Sequence, residues 1–334
     1  MQDVRKDNDP YPVTRGDRKE QKPNIFLQRA GKTGMGPGNG RAYPRWTYRA
    51  WISKAGESVS DHRVILGDAA KVLQTLPAGS IQCGVTSCPY DNARTYEQEN
   101  LSWDFEKIAK ELYRVLCPGG VLCWNVNDMM VGGSETLTHA RQGIYFVDDC
   151  GFNLHDTMIY EKSNFSHPEK TRYHQAFEYI LILSKGSPRT FNSIRDKKNA
   201  TAGCVGNLGV NTFTEKDGSK SVRTKKVTAE YGMRLNVWKG NTRGQEDMCM
   251  KLEHPAMMPK WLARDLIISW SNTGDTIIDP FAGSGTTGLM AESTGRNSVL
   301  IEINPKYADM IGKQLKPALD TGVVNYRFEK VPTP

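Results

Sequence analysis

The chain has 334 residues, 38% hydrophobic and 24% charged, with a formal net charge of +7. That is enough apolar material for one large domain, or for a domain carrying a sizeable insertion. No run approaches the roughly 18 consecutive apolar residues of a membrane span, and the polar N-terminus has no apolar signal core, so neither a membrane segment nor a secretory leader is expected. The seven cysteines are scattered, odd in number and without a Cys-x-x-Cys pair, which argues against a disulfide framework and a cysteine-rich metal site. A reducing, cytoplasmic setting with no metal is the expectation.

Charge is unevenly spread. Residues 1–60 carry 12 Lys/Arg against 6 Asp/Glu, residues 191–251 carry the same numbers, and the rest of the chain is therefore acidic. Two basic segments flanking an acidic body read as solvated surface or as surfaces facing a polyanion, because phosphate neutralisation supplies most sequence-independent affinity for nucleic acid. The first 60 residues are rich in Gly, Pro, Arg and Lys, with Trp46, Tyr48 and Trp51 among Arg45 and Arg49. They read as an irregular basic arm.

From residue 61 the pattern becomes α/β. Arg63–Leu66 predicts a short strand ending in Gly67-Asp68, and Ala69–Leu76 has helical spacing. Ile81–Thr86 predicts a second strand, followed at once by Ser87-Cys88-Pro89-Tyr90. Phe105–Leu116 predicts an amphipathic helix with Ile108, Leu112 and Val115/Leu116 on one face, stopped by Pro118-Gly119-Gly120 before a strand at Val121–Val126. A helix over His139–Cys150 and a strand pair at Thr157–Lys162 and Glu178–Ser184 follow.

Residues 185–250 lose this rhythm and support no assignment. It returns with a helix at Trp261–Trp270, a strand at Thr276–Ile278, a glycine-rich turn, a helix over Leu289–Thr294, a strand at Ser298–Ile303 and a helix at Tyr307–Leu315. Alternating strands and helices predict a mostly parallel sheet covered by helices on both faces.

Two segments carry chemistry. In the first, Asp279-Pro280-Phe281-Ala282-Gly283-Ser284-Gly285-Thr286 turns a strand into a helix, with glycines where the backbone must turn tightly and approach a ligand. Glu302 ends the next strand, 17 residues beyond Gly285, where a carboxylate accepts hydrogen bonds from ribose hydroxyls. Read alone, Gly283-x-Gly285-x-x-Gly288 also fits a dinucleotide fingerprint, or an ordinary tight turn. In the second, Ser87–Tyr90 sits at the carboxyl end of a buried strand, where such sheets bind ligands.

Together these segments resemble the β group of DNA amino-methyltransferases, which act on cytosine N4 or adenine N6. The 279–286 segment resembles the family's methionine-binding loop, and Ser87-Cys88-Pro89-Tyr90 its (Ser/Asp/Asn)-Pro-Pro-(Tyr/Phe) motif. His254-Pro255-Ala256-Met257-Met258-Pro259 resembles its His-Pro-x-x-x-Pro segment, and Gly67-Asp68 the strand end beside the cofactor adenine. The motif order, tetrapeptide first and glycine loop last, is the family's permuted one, and the resemblance covers about residues 61–315.

The resemblance implies a circularly permuted Rossmann-like methyltransferase sheet with an inserted target-recognition region. It divides the chain into a basic arm (1–60), a catalytic half (61–190), a recognition insertion (191–250) and a cofactor-binding half (251–334). S-adenosylmethionine is the implied cofactor. Asp279 faces its amino group, the backbone from Phe281 to Gly285 cradles it, Glu302 holds its ribose, and His254, Pro255 and Pro259 close over its methionine part.

The implied substrate is a base flipped out of double-stranded DNA. Its amino lone pair is delocalised into the ring, so two acceptors on its N–H groups, the Ser87 side chain and the carbonyl of Cys88, expose that lone pair. Tyr90 stacks on the base, a contact of about 1–3 kcal/mol in stacking systems. Asp91, Asn92 and Arg94 line the base or DNA path, or form an exposed loop.

Cys88 departs from the family's first proline. This keeps the carbonyl and loses backbone stiffness. A cytosine C5 nucleophile resembles a Pro-Cys order, the reverse of what stands here. Ser87 and Ala256 lean towards cytosine N4 over adenine N6. A cognate restriction endonuclease, RNA or small-molecule methylation, a non-catalytic DNA-binding module, and a monomeric or dimeric state all remain open.

Overall fold

The structure is a computed structural model. It describes residues 60–89, 103–163, 170–204, 212–214, 217–222, 227–241, 257–319 and 324–331. Residues 1–59 of the expected N-terminal arm, Tyr90 to Arg94, His254, Pro255 and Ala256 lie outside them, while Ser60, the arm's last expected residue, already opens the first strand.

Nine strands form one sheet: β1 (Ser60–Leu66), β2 (Ile81–Ser87), β3 (Leu116–Val126), β4 (Asn153–Lys162), β5 (Phe177–Ser184), β6 (Val237–Gly240), β7 (Thr276–Asp279), β8 (Asn297–Glu302) and β9 (Val324–Lys330). Their spatial order is β6-β4-β5-β3-β2-β7-β8-β1-β9. Every neighbouring pair is parallel except β4–β5 and β5–β3, so β5 alone runs against the rest. Among the described residues six helices connect the strands: α1 (Ala69–Thr75), α2 (Phe105–Val115), α3 (Thr138–Asp148), α4 (Lys260–Trp270), α5 (Thr286–Ser293) and α6 (Pro305–Leu319). Among the described residues no helix is long and apolar enough to cross a membrane.

Side chains on a strand alternate between its faces, and that alternation sorts the core into two layers. Leu122, Trp124, Leu181, Leu183, Ile278 and Ile301 pack with α1, α2 and α3. Their sequence neighbours Val121, Cys123, Ile180, Ile182 and Ile277 pack against α4 and α5 on the other face, while Val64 and Leu300 meet α6 there. Burial on both faces is why these strands read as continuous apolar runs.

Local chemistry sets the helix ends. Asp68 accepts from the amide of Ala70 at 2.9 Å and Asp104 from that of Lys107 at 3.0 Å, each capping a helix start. On α2, Ile108, Ala109, Leu112 and Val115 form the buried stripe, with Glu106 in the first turn and Arg114 in the last, in accord with the helix dipole.

Several boundaries differ from expectation. The second helix stops at Val115, and Leu116 already pairs with Ile81. Pro118-Gly119-Gly120 is an irregularity inside β3, not a turn before it: Gly119 takes φ 75° while its amide donates to Lys185 O at 2.7 Å. The fifth helix begins at Thr286, directly after Gly285, where the glycine-rich turn was expected to lead into a helix.

The edge strands β6 and β9 had no sequence assignment. Strand β6 has four residues, and the seven-residue β9 is held in part by charge pairing: Arg63 grips Glu329 through two contacts of 2.9 Å, and Arg327 reaches Asp61 at 2.6 Å. Strand β6 lies within 191–250, so part of that segment belongs to the main sheet. Elsewhere in it, Lys197–Lys198 pairs with Tyr231–Gly232, and Thr212–Thr214 with Lys220–Val222.

Candidate active site

Strands β2 and β7 are parallel neighbours at the middle of the sheet. From β7 the chain crosses through α5 to β8 on one side, and from β2 through α2 to β3 on the other. The crevice outside two such carboxyl ends is where open sheets of this kind bind ligands. Asp279 ends β7 and Ser87 ends β2, so the fold brings both sequence motifs to that place.

On the β7 side, Asp279 is 5% exposed. Its Oδ1 accepts from the Thr86 hydroxyl at 2.6 Å and the Phe281 amide at 3.0 Å, and its Oδ2 from the Thr287 hydroxyl at 2.7 Å. Burial raises the Asp279 pKa, and the three hydrogen bonds pull against that rise. Thr86 and Thr287 went unremarked in the sequence, although a threonine next to the motif serine in an otherwise apolar strand is a usable signal.

Glu302 ends β8 and is 7% exposed. Its Oε2 accepts from the Gly283 amide at 2.7 Å and its Oε1 from the Asn304 amide at 2.8 Å. Burial pushes this carboxyl up to about 7, backbone hydrogen bonds oppose the shift, and the charge of Asp279 adds to it.

The glycine loop between them is tightly determined. Gly283 and Gly285 take φ of 51° and 89°, in the left-handed region. A Cβ at Gly288 would lie 2.3 Å from Leu300 Cδ1, so α5 packs on β8 through bare backbone. Ser284 is buried, and its carbonyl accepts from Gln314 Nε2 at 2.6 Å. Pro280, Ala282 and Thr286 are buried, while Phe281 and Gly283 are half-buried.

Four loop amides are already spent within the protein. Phe281 donates to Asp279, Ala282 to Ile301 O, Gly283 to Glu302 and Gly285 to Ala282 O. A pyrophosphate needs such amides free and repels two nearby carboxylates. Groups bearing hydroxyls and a positive charge fit this donor and acceptor set better than a dinucleotide does.

On the β2 side, Ser87 and Pro89 are half-buried, and Cys88 is 2% exposed. The Cys88 amide donates to Asn125 O at 3.2 Å. Its thiol lies 3.9 Å from Gln142 Oε1, an atom that also accepts from Trp124 Nε1 at 2.8 Å. The sulfur thus faces the core under α3 rather than the crevice.

Trp103 packs edge-on against Phe281 with ring centroids 5.2 Å apart, and 6.2 Å from Trp124, joining the glycine loop to β3 by an aromatic bridge. No spacing in the sequence marks Trp103. Asp68 caps α1, and Gly67 donates to the Glu302 backbone carbonyl at 2.9 Å, which brings that strand end beside β8. Pro259 stands at the start of α4, its carbonyl accepting from Leu262 at 3.0 Å and Ala263 at 3.1 Å.

Comparison with known proteins bears on this arrangement. A family model described as DNA methylase (N6_N4_Mtase) matches residues 81–313. The orphan methyltransferase M.BamHII of Bacillus amyloliquefaciens is 44% identical over 240 residues, covering 71% of this chain and 89% of that protein. The cytosine-N4-specific PvuII DNA methyltransferase superposes with a TM-score of 0.55 at 20% identity, over 83% of this chain and 98% of its own. A putative DNA modification methylase of Thermus thermophilus, complexed with S-adenosyl-L-methionine, superposes with a TM-score of 0.51 at 23% identity, over 81% of this chain and all (100%) of its own. At those identities the two structures speak for the Rossmann-like fold. The family match spans most of the chain and includes both motifs, and the chain belongs to the DNA methylase family of N6- and N4-methyltransferases, enzymes that take their methyl group from S-adenosylmethionine.

Proposed function

We propose that this chain methylates the N4 amino group of a cytosine flipped out of double-stranded DNA, using the crevice between β2 and β7. The observation that carries this reading is the 2.6 Å hydrogen bond from Thr86 to Asp279. It ties the residue before the amino-activating serine to the carboxylate that faces the cofactor, so the two reactants' binding elements share one rigid junction. Such positioning supplies much of the rate of a direct transfer between two bound partners.

The cofactor, when bound, supplies an electrophilic methyl group on a positively charged sulfur. Asp279 attracts its ammonium group, Glu302 accepts from its ribose hydroxyls, and the Phe281–Gly285 backbone encloses it. His254, Pro255 and Pro259 close over the methionine part, and Asp68 lies towards the adenine. On the base side, Ser87 Oγ and the Cys88 carbonyl accept from the two N–H groups of the target amine. This holds the nitrogen towards tetrahedral and frees its lone pair. Pro89 stiffens the turn, and Tyr90 stacks on the base.

Residues 1–60 and 191–250 supply the DNA-facing positive charge, the second of these also reading the target sequence, between a catalytic half (61–190) and a cofactor half (251–334).

The preference for cytosine rests on Ser87 and Ala256. The test is incubation with labelled cofactor and double-stranded DNA, followed by mass spectrometry of the nucleosides. N4-methylcytosine is expected. N6-methyladenine transfers the same mechanism to adenine, and absence of label in DNA of any sequence sinks the reading.

A further inference from the structure

Asn125 is the one polar residue among Val121, Leu122, Cys123, Trp124 and Val126 at the end of β3, and it is 2% exposed. A buried amide in such a strand is costly unless each of its polar atoms is bonded. Its Nδ2 donates to Glu178 Oε2 at 2.8 Å, and Glu178 Oε1 pairs with Lys162 Nζ at 2.6 Å. An ionised carboxylate only accepts, so Glu178 settles which way the amide points, and Oδ1 must face away from it. That Oδ1 is shielded to less than 1 Å² and has no hydrogen-bond partner.

The register says what stands beside it. Ser87 is the parallel partner of Asn125 across β2 and β3. Partners in parallel register project to the same face, here the face of Cys83, Val85, Val121 and Cys123. The Asn125 oxygen is too deep to reach a base, whereas Ser87 is half-buried at the crevice.

Serine brings a difficulty that aspartate at this motif position does not have. A hydroxyl both donates and accepts, and it accepts well from a target amine only when its own hydrogen is taken elsewhere. A fixed acceptor behind it both takes that hydrogen and strengthens the oxygen's acceptor character.

We propose that Asn125 is a positioning residue: in the base-bound state its Oδ1 accepts the Ser87 hydroxyl hydrogen, so that the Ser87 lone pairs are presented to the target amino group, with Lys162 and Glu178 holding the amide in orientation. This rests on the reading of Ser87 as the amine's acceptor, and the experiment separates the two.

The measurement is single-turnover methyl transfer by the full chain in excess over double-stranded DNA, with cofactor and DNA affinities measured alongside. Asn125→Ala is expected to slow transfer about tenfold while both affinities stay within about twofold. In a Ser87→Ala background the same change is expected to cost less than about twofold more, since the partner is already gone. Asn125→Asp is expected to be slow by itself, because it sets two carboxylates together. Combining it with Glu178→Gln restores one donor and one acceptor, and is expected to return the rate to within about threefold of the native chain.

Equal penalties for Asn125→Ala with and without Ser87 overturn the proposal. So does an unchanged rate in Asn125→Ala, or a combined variant of native melting temperature that stays slow. The combined variant keeps the side-chain volumes, so it carries the test if Asn125→Ala does not fold. A Ser87→Ala chain that transfers at the native rate refutes the underlying reading instead.

Discussion

The two sides of the crevice are built differently. On the β7 side, Asp279, the glycine loop and Glu302 fall within 24 residues of sequence, and most of their hydrogen bonds run to one another and to nearby residues, with Thr86 and Gln314 reaching in from outside. On the β2 side, Ser87, Asn125, Gln142, Lys162 and Glu178 come from β2, β3, α3, β4 and β5, and the buried Asn125 Oδ1 is left over. The first is a short-range device made by a turn, with buried carboxylates suited to a cationic partner. The second is a tertiary assembly whose last acceptor is held ready for a group that arrives.

That contrast is open to attack at several points. The largest expected effect is Ser87→Ala. Transfer should fall by about a hundredfold or more while the cofactor dissociation constant stays within about twofold. Loss of cofactor binding in that variant would place Ser87 on the wrong side of the crevice. Asp279→Asn tests the reverse. It should weaken cofactor binding by about tenfold through the lost charge, with a much smaller effect on the rate at saturating cofactor, read by titration calorimetry.

Gly288→Ala probes the packing of α5 on β8. With Leu300 Cδ1 2.3 Å from the added carbon, thermal or denaturant unfolding should report a loss of about 1–3 kcal/mol, and bound cofactor should recover part of it.

Glu302 adds a pH signature. Its folded carboxyl sits near 7, above the ordinary 4.5, so the free fold binds the extra proton between those values. Its contribution to stability is greatest below pH 4.5 and is lost as pH rises through about 7. A ligand donating hydroxyls favours the ionised form, so cofactor affinity should rise with pH up to about 7 and then level, with proton release on binding below that. Glu302→Gln should weaken binding and flatten the profile, and a profile unchanged in that variant would assign the titration to another group.

The smallest effect is Cys88→Pro, which restores the family's residue. The carbonyl survives, but the Cys88 amide bond to Asn125 O is lost, at a cost of about 1 kcal/mol in stability. Transfer should stay within about threefold of native, as read in the same single-turnover assay. A dead but folded variant would give the buried thiol a role that its position under α3 argues against.

Much of this was legible in the residues. Gly283, Gly285 and Gly288 announce a tight strand-to-helix turn because glycine adopts the positive φ of the first two without strain and leaves room for Leu300 at the third. The apolar runs at Val121–Val126 and Ile180–Leu183 announce strands covered on both faces. Other elements were illegible for identifiable reasons. Strands β6 and β9 lie at the sheet's edges, where half-exposed alternation over four to seven residues resembles loop. Pro118-Gly119-Gly120 looks like a stop signal, yet Gly119 continues pairing across the bend through Lys185.

What the sequence determined by itself is therefore local. It contains the Ser87–Tyr90 tetrapeptide, the carboxylate-flanked glycine loop, the permuted order that identifies the family, and a cysteine where a proline is usual. Only the tertiary structure decided that Thr86 clamps Asp279, that the Cys88 sulfur is turned into the core, and that Asn125 stands opposite Ser87 with its amide oriented from behind by Glu178 and Lys162. Short-range backbone geometry is written in residue types, because glycine and proline act on their own dihedrals. Pairings such as Ser87 beside Asn125 and Thr86 with Asp279, 38 and 193 positions apart, depend on strand order and register, which the whole fold sets through the burial of its two apolar faces.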